Sequence, residues 1–528
     1  MASRLRRSSI APGYTIICTV NLVHESEATE KDETSYDVCV VGFGPVGATL
    51  ANLLGLCGLS TLVLEREAEA YHLPRAVHFD DEVMRVFQTI GVAQDVEQVV
   101  RINPGMRFVD TNGGLLLDWP RPQSVGPLGW YPSYRFHQPD LERILRNAVK
   151  RYAHVDVRLR AEATDIRQQG DSVQLDYHDL AANKTPTVSC KYVVGCDGAR
   201  SMVRSYLNPV MDDFGFNERW LVVDIVLNQD KAALGDFTIQ YCDPSRPITY
   251  VRGPGMRRRW EVTMLPDEPS EEMTAPERVW SLLSGWVVPD EAVLERAAVY
   301  TFHSLVAKTW SRDRVYLAGD AAHQTPPFMG QGMCIGIRDV VNLAWKLARV
   351  VEGRAPGDFL QSYESERRSH AQAYVELAVR LGAMINHSNP QTALDAAYRQ
   401  SDGTYRMESI RPKLGPGLSV ASPRHAGEIF PQPRLSNGAM LDDRIGYRTA
   451  LMFDAACGAQ LSRELQCRLR GDDVALLSST DDAAIRDCLK TYQADAIVIR
   501  PDRYVLGTAT GPAEVETLAR EILPSALA

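Results

Sequence analysis

Tyr36-Asp-Val-Cys-Val-Val-Gly42-Phe-Gly44-Pro45-Val46-Gly47 decides how this chain is read. Residues 37–41 are apolar and partly β-branched, the pattern of a buried parallel strand. The chain then turns tightly at Gly42. Gly44 lets the backbone approach a pyrophosphate, and Gly47 lets the next helix pack close to the strand. The spacing predicts that helix at roughly 46–57, with Pro45 and Val46 at its start and its positive end aimed at phosphates. A second apolar strand, 60–64, ends at Glu65, followed by Arg66. An acid at that distance from the glycines suits ribose hydroxyls. A glycine-rich turn that binds nothing would not need the strand, helix, second strand and acid together.

Two later segments answer the first. Residues 191–198 read as a strand ending in Cys196-Asp197-Gly198, with Ser201 capping a short helix that carries Val203 and Arg204. Residues 315–320 read as another strand ending in Gly319-Asp320, running into His323, Pro326-Pro327 and Gly330-Gln331-Gly332-Met333. A helix is expected over roughly 333–352, where Ile337, Val340, Val341, Ala344, Leu347 and Ala348 recur at helical spacing. The three motifs in this order point to one flavin adenine dinucleotide wrapped by distant segments of one domain. Asp320 is placed for a ribityl hydroxyl. The amides of Gly330–Met333, at a helix N-terminus, are placed for negative charge developing on a flavin ring. His323 faces the flavin edge or packs the turn.

The chain has 528 residues, enough for two or three domains. A net charge of −10 argues against nucleic acid or an anionic membrane as the main partner. No apolar run is long enough to span a bilayer. Ten cysteines are scattered without C-x-x-C pairs, so neither a metal site nor a disulfide framework is expected. A reducing, cytoplasmic setting fits best. Residues 1–35 read as a disordered extension, with a targeting peptide built on Arg4, Arg6 and Arg7 as the alternative. The Pro-, Gly-, Ser- and Arg-rich stretch 391–436 reads as a linker.

The three motifs, spanning roughly residues 36–375, resemble the group A (single-component) flavoprotein aromatic hydroxylases, a family that includes the p-hydroxybenzoate and phenol hydroxylases. A narrower resemblance, to the 3-(3-hydroxyphenyl)propionate hydroxylases, rests on residues 71–76 (Tyr-His-Leu-Pro-Arg-Ala), Asp80-Asp81-Glu82 and residues 135–142 (Arg-Phe-His-Gln-Pro-Asp-Leu-Glu). Residues 220–224, 241–244 and 312–314 add to it. The resemblance implies an α/β protein. A Rossmann-like FAD-binding domain of GR2 type would occupy 36–215 and 300–390. An inserted β-sheet substrate domain would occupy 216–299, and a thioredoxin-like C-terminal domain 437–528. It implies non-covalent FAD, NADH or NADPH as co-substrate, and a small phenol and O2 as reactants. The reaction would be ring hydroxylation through a flavin C4a-hydroperoxide, in a homodimer. It places Arg75 and Gln138 at the cofactor, Asp197-Gly198 by the pyrophosphate, and Gly319-Asp320 at the ribityl chain. Residues 327–332 depart from the family pattern: Phe328 and Met329 give a hydrophobic pair that would line a different ring surface.

The catalytic residues are less sharply marked. His303 is a candidate base for the phenol proton, against a plain strand histidine. Tyr241 is a candidate hydrogen-bond donor to substrate, against a core tyrosine. Arg258, in the run Arg257-Arg258-Arg259, is a candidate partner for a substrate carboxylate, against a solvated hairpin. Arg246 and Arg252 lie in the same region. Two other functions share the motifs: the same chemistry on a larger polyketide or antibiotic, and a flavin-binding protein with little turnover. In the tail, Cys457, Cys467 and Cys488 are not spaced as a redox pair, which makes that segment structural.

Overall fold

The computed structural model describes residues 35–70, 75–387 and 389–523. The extension expected over 1–35 lies outside them except for Ser35, as do residues 71–74 of the Pro-Arg segment. The described residues from Tyr36 onward form one compact unit.

The first sheet explains how three distant motifs meet. Its order runs Ser311–Arg312, Val315–Leu317, Thr187–Gly195, Ser35–Val41, Thr61–Glu65, Val155–Leu159. Ser35–Val41 pairs in parallel with Thr61–Glu65, and Thr187–Gly195 in parallel with Val315–Leu317. The glycine turn, the Asp-Gly turn and the Gly-Asp turn therefore leave the same end of neighbouring strands, where open α/β sheets bind ligands. Cys196 N–H donates to Val41 O and Ala318 N–H to Gly195 O, which ties the three exits together. Val38, Cys39 and Val40 are fully buried, as an unbroken apolar strand covered on both faces requires. The helix Pro45–Leu56 begins and ends one residue earlier than the sequence predicts, and so does Gly332–Val351.

The second sheet has eight strands, in the order His323–Gln324, Ala292–Ala307, Met211–Leu227, Arg257–Thr263, Ile248–Arg252, Thr238–Tyr241, Gly105–Val109, Leu115–Pro120. The sheet expected at 216–299 thus also recruits a hairpin from 105–120. That hairpin joins by parallel pairing of Gly105–Val109 with Thr238–Tyr241. Side chains alternate between faces. One face, with Phe108, Trp119 and Trp220, packs on the core of the first sheet. The other, with Leu221, Tyr250 and Trp260, packs under the helix Pro276–Leu283.

The C-terminal sheet runs Ala475–Ser478, Ala450–Phe453, Ala496–Ile499, Val505–Ala509. Its first pair is parallel and the other two are antiparallel. With helices Arg463–Gly471, Ala483–Thr491 and Gly511–Glu521, this is a thioredoxin-like arrangement. Residues 391–436 carry short 3-10 turns and isolated bridges, such as Asp118 with Arg406 and Ile429 with Tyr504, and are pinned to both neighbours. Gly415 N–H donates to Glu366 O, Leu418 N–H to Glu366 Oε1 and Phe430 N–H to Arg503 O. Buried ion pairs finish the join. Arg500 grips Glu366 at 2.9 and 2.7 Å, and Lys346 Nζ lies 2.7 Å from the same carboxylate.

Candidate functional site

The glycine turn can exist only without side chains. Gly42 sits at φ +99°, and a Cβ there would lie 2.5 Å from Cys196 O. A Cβ on Gly47 would overlap the carbonyl oxygen of Gly42. Gly44, by contrast, has no neighbouring atom within 4 Å, and neither has Gly198. The N-terminus of Pro45–Leu56 therefore opens onto free space, as a phosphate cradle must.

The expected cofactor residues surround that space. Glu65 accepts Phe43 N–H at 2.8 Å and Glu67 N–H at 2.9 Å, so it fixes the glycine turn and the loop after the second strand. Arg66 is exposed beside Glu67. Gln138 accepts the amides of Arg75 and Ala76, both at 2.8 Å, and donates to Glu142 Oε1 at 2.7 Å. Its visible work is to orient the Arg75 backbone. Arg75 Nη1 stands 3.7 Å from Asp320 Oδ2, both side chains about half-exposed. Asp197 accepts Ser201 Oγ and the amides of Met202 and Val203, capping Met202–Leu207. Burial raises its pKa against the pull of those hydrogen bonds.

The third motif is held from behind. Asp339 accepts Gly319 N–H at 3.1 Å, meets His323 Nε2 at 2.7 Å and takes Arg367 Nε at 3.1 Å. His323 is buried in this cluster, so it packs the turn. Pro327–Met329 forms a 3-10 turn, and Gly330 follows at φ +61°. His78 Nδ1 meets Gly330 O at 3.1 Å and its Nε2 meets Ser133 Oγ at 2.8 Å. Burial first, then the charges of Arg135 and Arg121, lowers its pKa to about 3, so His78 is neutral. Gln331 accepts from Arg338, which is itself locked by Glu82 and Asp80 at 2.6 Å each. Gly332 and Met333 open the long helix.

These residues fit FAD. Two helix N-termini face the strand exits, free space lies over Gly44 and Gly198, and Arg75 and Asp320 present partly exposed polar groups between them. The cofactor would be held by residues 42–47, 65–66, 75, 138, 197–198, 319–320 and 327–333. When bound, it would supply hydride acceptance and oxygen activation.

A small cavity of about 40 Å³ lies between Pro327–Gly330 and the inner face of the second sheet. Trp119, Phe328 and Met329 give it apolar walls, and Arg121, Arg135 and Glu261 give it charge. Phe328 stands edge-on to Trp220 and Phe216, with centroids 5.6 and 5.2 Å away. Burial raises the Glu261 pKa, against the charge of Arg259.

The three catalytic candidates are not in this cavity. His303 pairs with Asn217, while its neighbours Phe302 and Ser304 point to the flavin side. Strand alternation therefore turns His303 to the outer face. Tyr241 packs on Trp286 (centroids 5.4 Å) and takes its indole N–H in the outer layer. Arg258 is spent on Asp230 and on the carbonyls of Gly255 and Arg257. Its neighbour Arg259 is the inward residue, paired to Asp224 at 2.7 Å. Asp224 also binds Arg296. Arg246 is taken by Glu268, and Arg252 by Asp230 and Asp236. Among the polar residues that do line the cavity, Arg121 carries no local signal, because it directly follows a hairpin, 105–120, that reaches the sheet only through long-range pairing, and Arg135, in the strand Ser133–Phe136, is marked only by the 135–142 resemblance.

The chain matches the FAD binding domain family over residues 35–378. It is 36% identical over 507 residues to a "probable NADH-specific resorcinol 4-hydroxylase" of Rhodococcus jostii RHA1, covering 92% of this chain and 94% of that one. It is 35% identical over 523 residues to a 3-(3-hydroxy-phenyl)propionate/3-hydroxycinnamic acid hydroxylase of Burkholderia cenocepacia HI2424, covering 91% and 94%. The fold is shared with the flavin-dependent monooxygenase PieE (TM-score 0.76, 20% identity, 94% and 98% covered). It is shared also with aklavinone-11 hydroxylase (TM-score 0.73, 21% identity, 92% and 99% covered). The chain belongs to this FAD-binding family. Within it, the chain is an NAD(P)H-dependent FAD monooxygenase of aromatic rings.

Proposed function

We propose that the chain hydroxylates a small meta-substituted phenol, of the resorcinol or 3-(3-hydroxyphenyl)propionate kind, with NADH as reductant and O2 as oxidant. One observation carries this reading: the cavity against Pro327–Gly330 has aromatic and thioether walls beside buried cations. The two relatives named above are named for phenols of this kind, and one is named as NADH-specific. The sequence leaves a larger polyketide substrate open, and the substrates named for the two relatives favour the smaller phenol.

The protein's own part is to bind, orient and exclude water. Phe328, Trp119 and Met329 hold a ring in a dry pocket, where a reactive oxygen donor is protected from wasteful decay. Glu261, with its raised pKa, is placed to take a phenol proton, a role His303 cannot fill from the outer face. A homodimer and a cytoplasmic setting belong to the same reading. Among the described residues no helix is long and apolar enough to cross a membrane.

The test compares NADH and NADPH oxidation by the flavin-loaded protein across resorcinol, 3-(3-hydroxyphenyl)propionate and a tetracyclic polyketide. Stimulation of NADH oxidation by a small phenol supports the reading. Stimulation by the polyketide alone, or by none, contradicts it.

A further inference from the structure

We propose that Arg121 receives an anionic oxygen of the substrate, so that this cavity takes a phenol bearing one negative charge. The inference rests on the cavity being the substrate site, as proposed above.

Arg121 is only 8% exposed, and its side chain lines the cavity against Pro327–Gly330. Its guanidinium carbon lies 3.9 Å over the Trp119 ring. Its buried Nη1 has no hydrogen-bond partner, and no carboxylate pairs with it among the described residues. The surrounding acids are engaged elsewhere. Asp80 binds Arg338, Asp81 binds Arg411, and Glu261 sits 3.7 Å from Arg259. Other buried guanidinium groups have carboxylate partners: Arg85 with Asp442, Arg296 with Asp224, Arg367 with Asp339.

Arg135 adds to the imbalance. It shares the cavity and donates to Thr238 Oγ1, and its Nε has no partner. Burial, then the charge of Arg135, lowers the Arg121 pKa to about 9, and burial lowers that of Arg135 to about 10. Both remain cations at neutral pH. A buried cation without a counter-ion is costly. Glu261 acts on Arg135, and Asp80 and Asp81 act on Arg121, only at a distance; among the described residues neither guanidinium has a carboxylate ion-pair partner. A planar guanidinium with a free N–H suits a carboxylate or phenolate oxygen. Trp119 and Phe328 give the cavity aromatic walls beside it.

The anion can be a side-chain carboxylate, already charged at neutral pH, or the phenolate of a dihydroxybenzene. Full-length FAD-loaded protein decides. Dissociation constants would be measured by calorimetry for 3-(3-hydroxyphenyl)propionate, resorcinol and the neutral 3-(3-hydroxyphenyl)propan-1-ol. In Arg121→Met the anionic ligand is expected to weaken about 10- to 100-fold, with the neutral alcohol changed less than about twofold. Arg121→Lys recovers part of the loss, and FAD content and the unfolding temperature stay as in the parent. If the arylpropanoate alone responds, the anion is a carboxylate. If resorcinol alone responds, it is a phenolate. Equal weakening of acid and alcohol, no weakening of either, or no binding of any ligand by the parent overturns the proposal. Binding is read without turnover. A protein that holds the acid through Arg121 but never oxidises NADH sinks the hydroxylase reading and leaves Arg121's role standing.

Discussion

Asp320 is the residue the sequence assigns to a ribityl hydroxyl. It sits in the 3-10 turn Gly319–Ala321 after the strand Val315–Leu317, stays half-exposed, and stands beside Arg75. Asp320→Ala removes a charged acceptor from a bound dinucleotide, a loss of about 1.5–3 kcal/mol for such a hydrogen bond. FAD affinity, read by flavin fluorescence on reconstitution, should fall by that amount. A variant with unchanged FAD affinity refutes the assignment. The arginine run shows what a sequence hides at this scale. Arg258 and Arg259 are adjacent, yet strand parity sends one to Asp230 and the other to Asp224. The parity was readable in principle from Trp260, whose apolar ring marks the outer face two positions from Arg258. His303 fails for the same reason: nothing local says which face of its strand meets the flavin.

At the level of elements, the first sheet was legible because each motif carries its own strand, turn and helix start. The chemistry of the turn dictates the glycines. Gly47→Ala would force the start of Pro45–Leu56 away from Gly42, an overpacking that costs about 1–3 kcal/mol. The expected result is lower FAD content together with a lower unfolding temperature. A fully flavinated, equally stable variant would show that the close approach is not needed. The 105–120 hairpin was not legible. Its pairing partner lies more than a hundred residues away, and alternation alone gives a strand but not its sheet. The substrate cavity was hidden with it, because Trp119 lies in that hairpin and Arg121 directly follows it.

Across the whole molecule, the C-terminal unit is fastened by buried charge. Burial alone would raise the Glu366 pKa, but Arg500 and Lys346 hold it well below the usual carboxylate range. Burial is likewise outweighed at Asp442 by Arg503 and Arg85, and at Asp80 by Arg338, which brings Asp80 to about 2. Carboxylates with depressed folded pKa values stabilise the fold above their unfolded values, and that stability is lost as pH falls through the folded ones. Unfolding temperature should therefore drop as pH goes from roughly 4 toward 2. Arg500→Met leaves Glu366 buried with less compensation and should cost about 3–5 kcal/mol at neutral pH. Its acid sensitivity should also be shallower, because the Glu366 pKa moves back up. Urea unfolding at pH 7 and at roughly pH 3 checks both; an unchanged midpoint at pH 7 would mean the network does not hold the join.

The most direct test of the molecule's chemistry is the mass of its product. Flavin-loaded protein, NADH and isotopically labelled O2 would be incubated with resorcinol and, separately, with 3-(3-hydroxyphenyl)propionate. The account predicts that one of these phenols accelerates NADH consumption and emerges with a single labelled oxygen on its ring. NADH consumption that yields only hydrogen peroxide, or no response to any phenol, would contradict it.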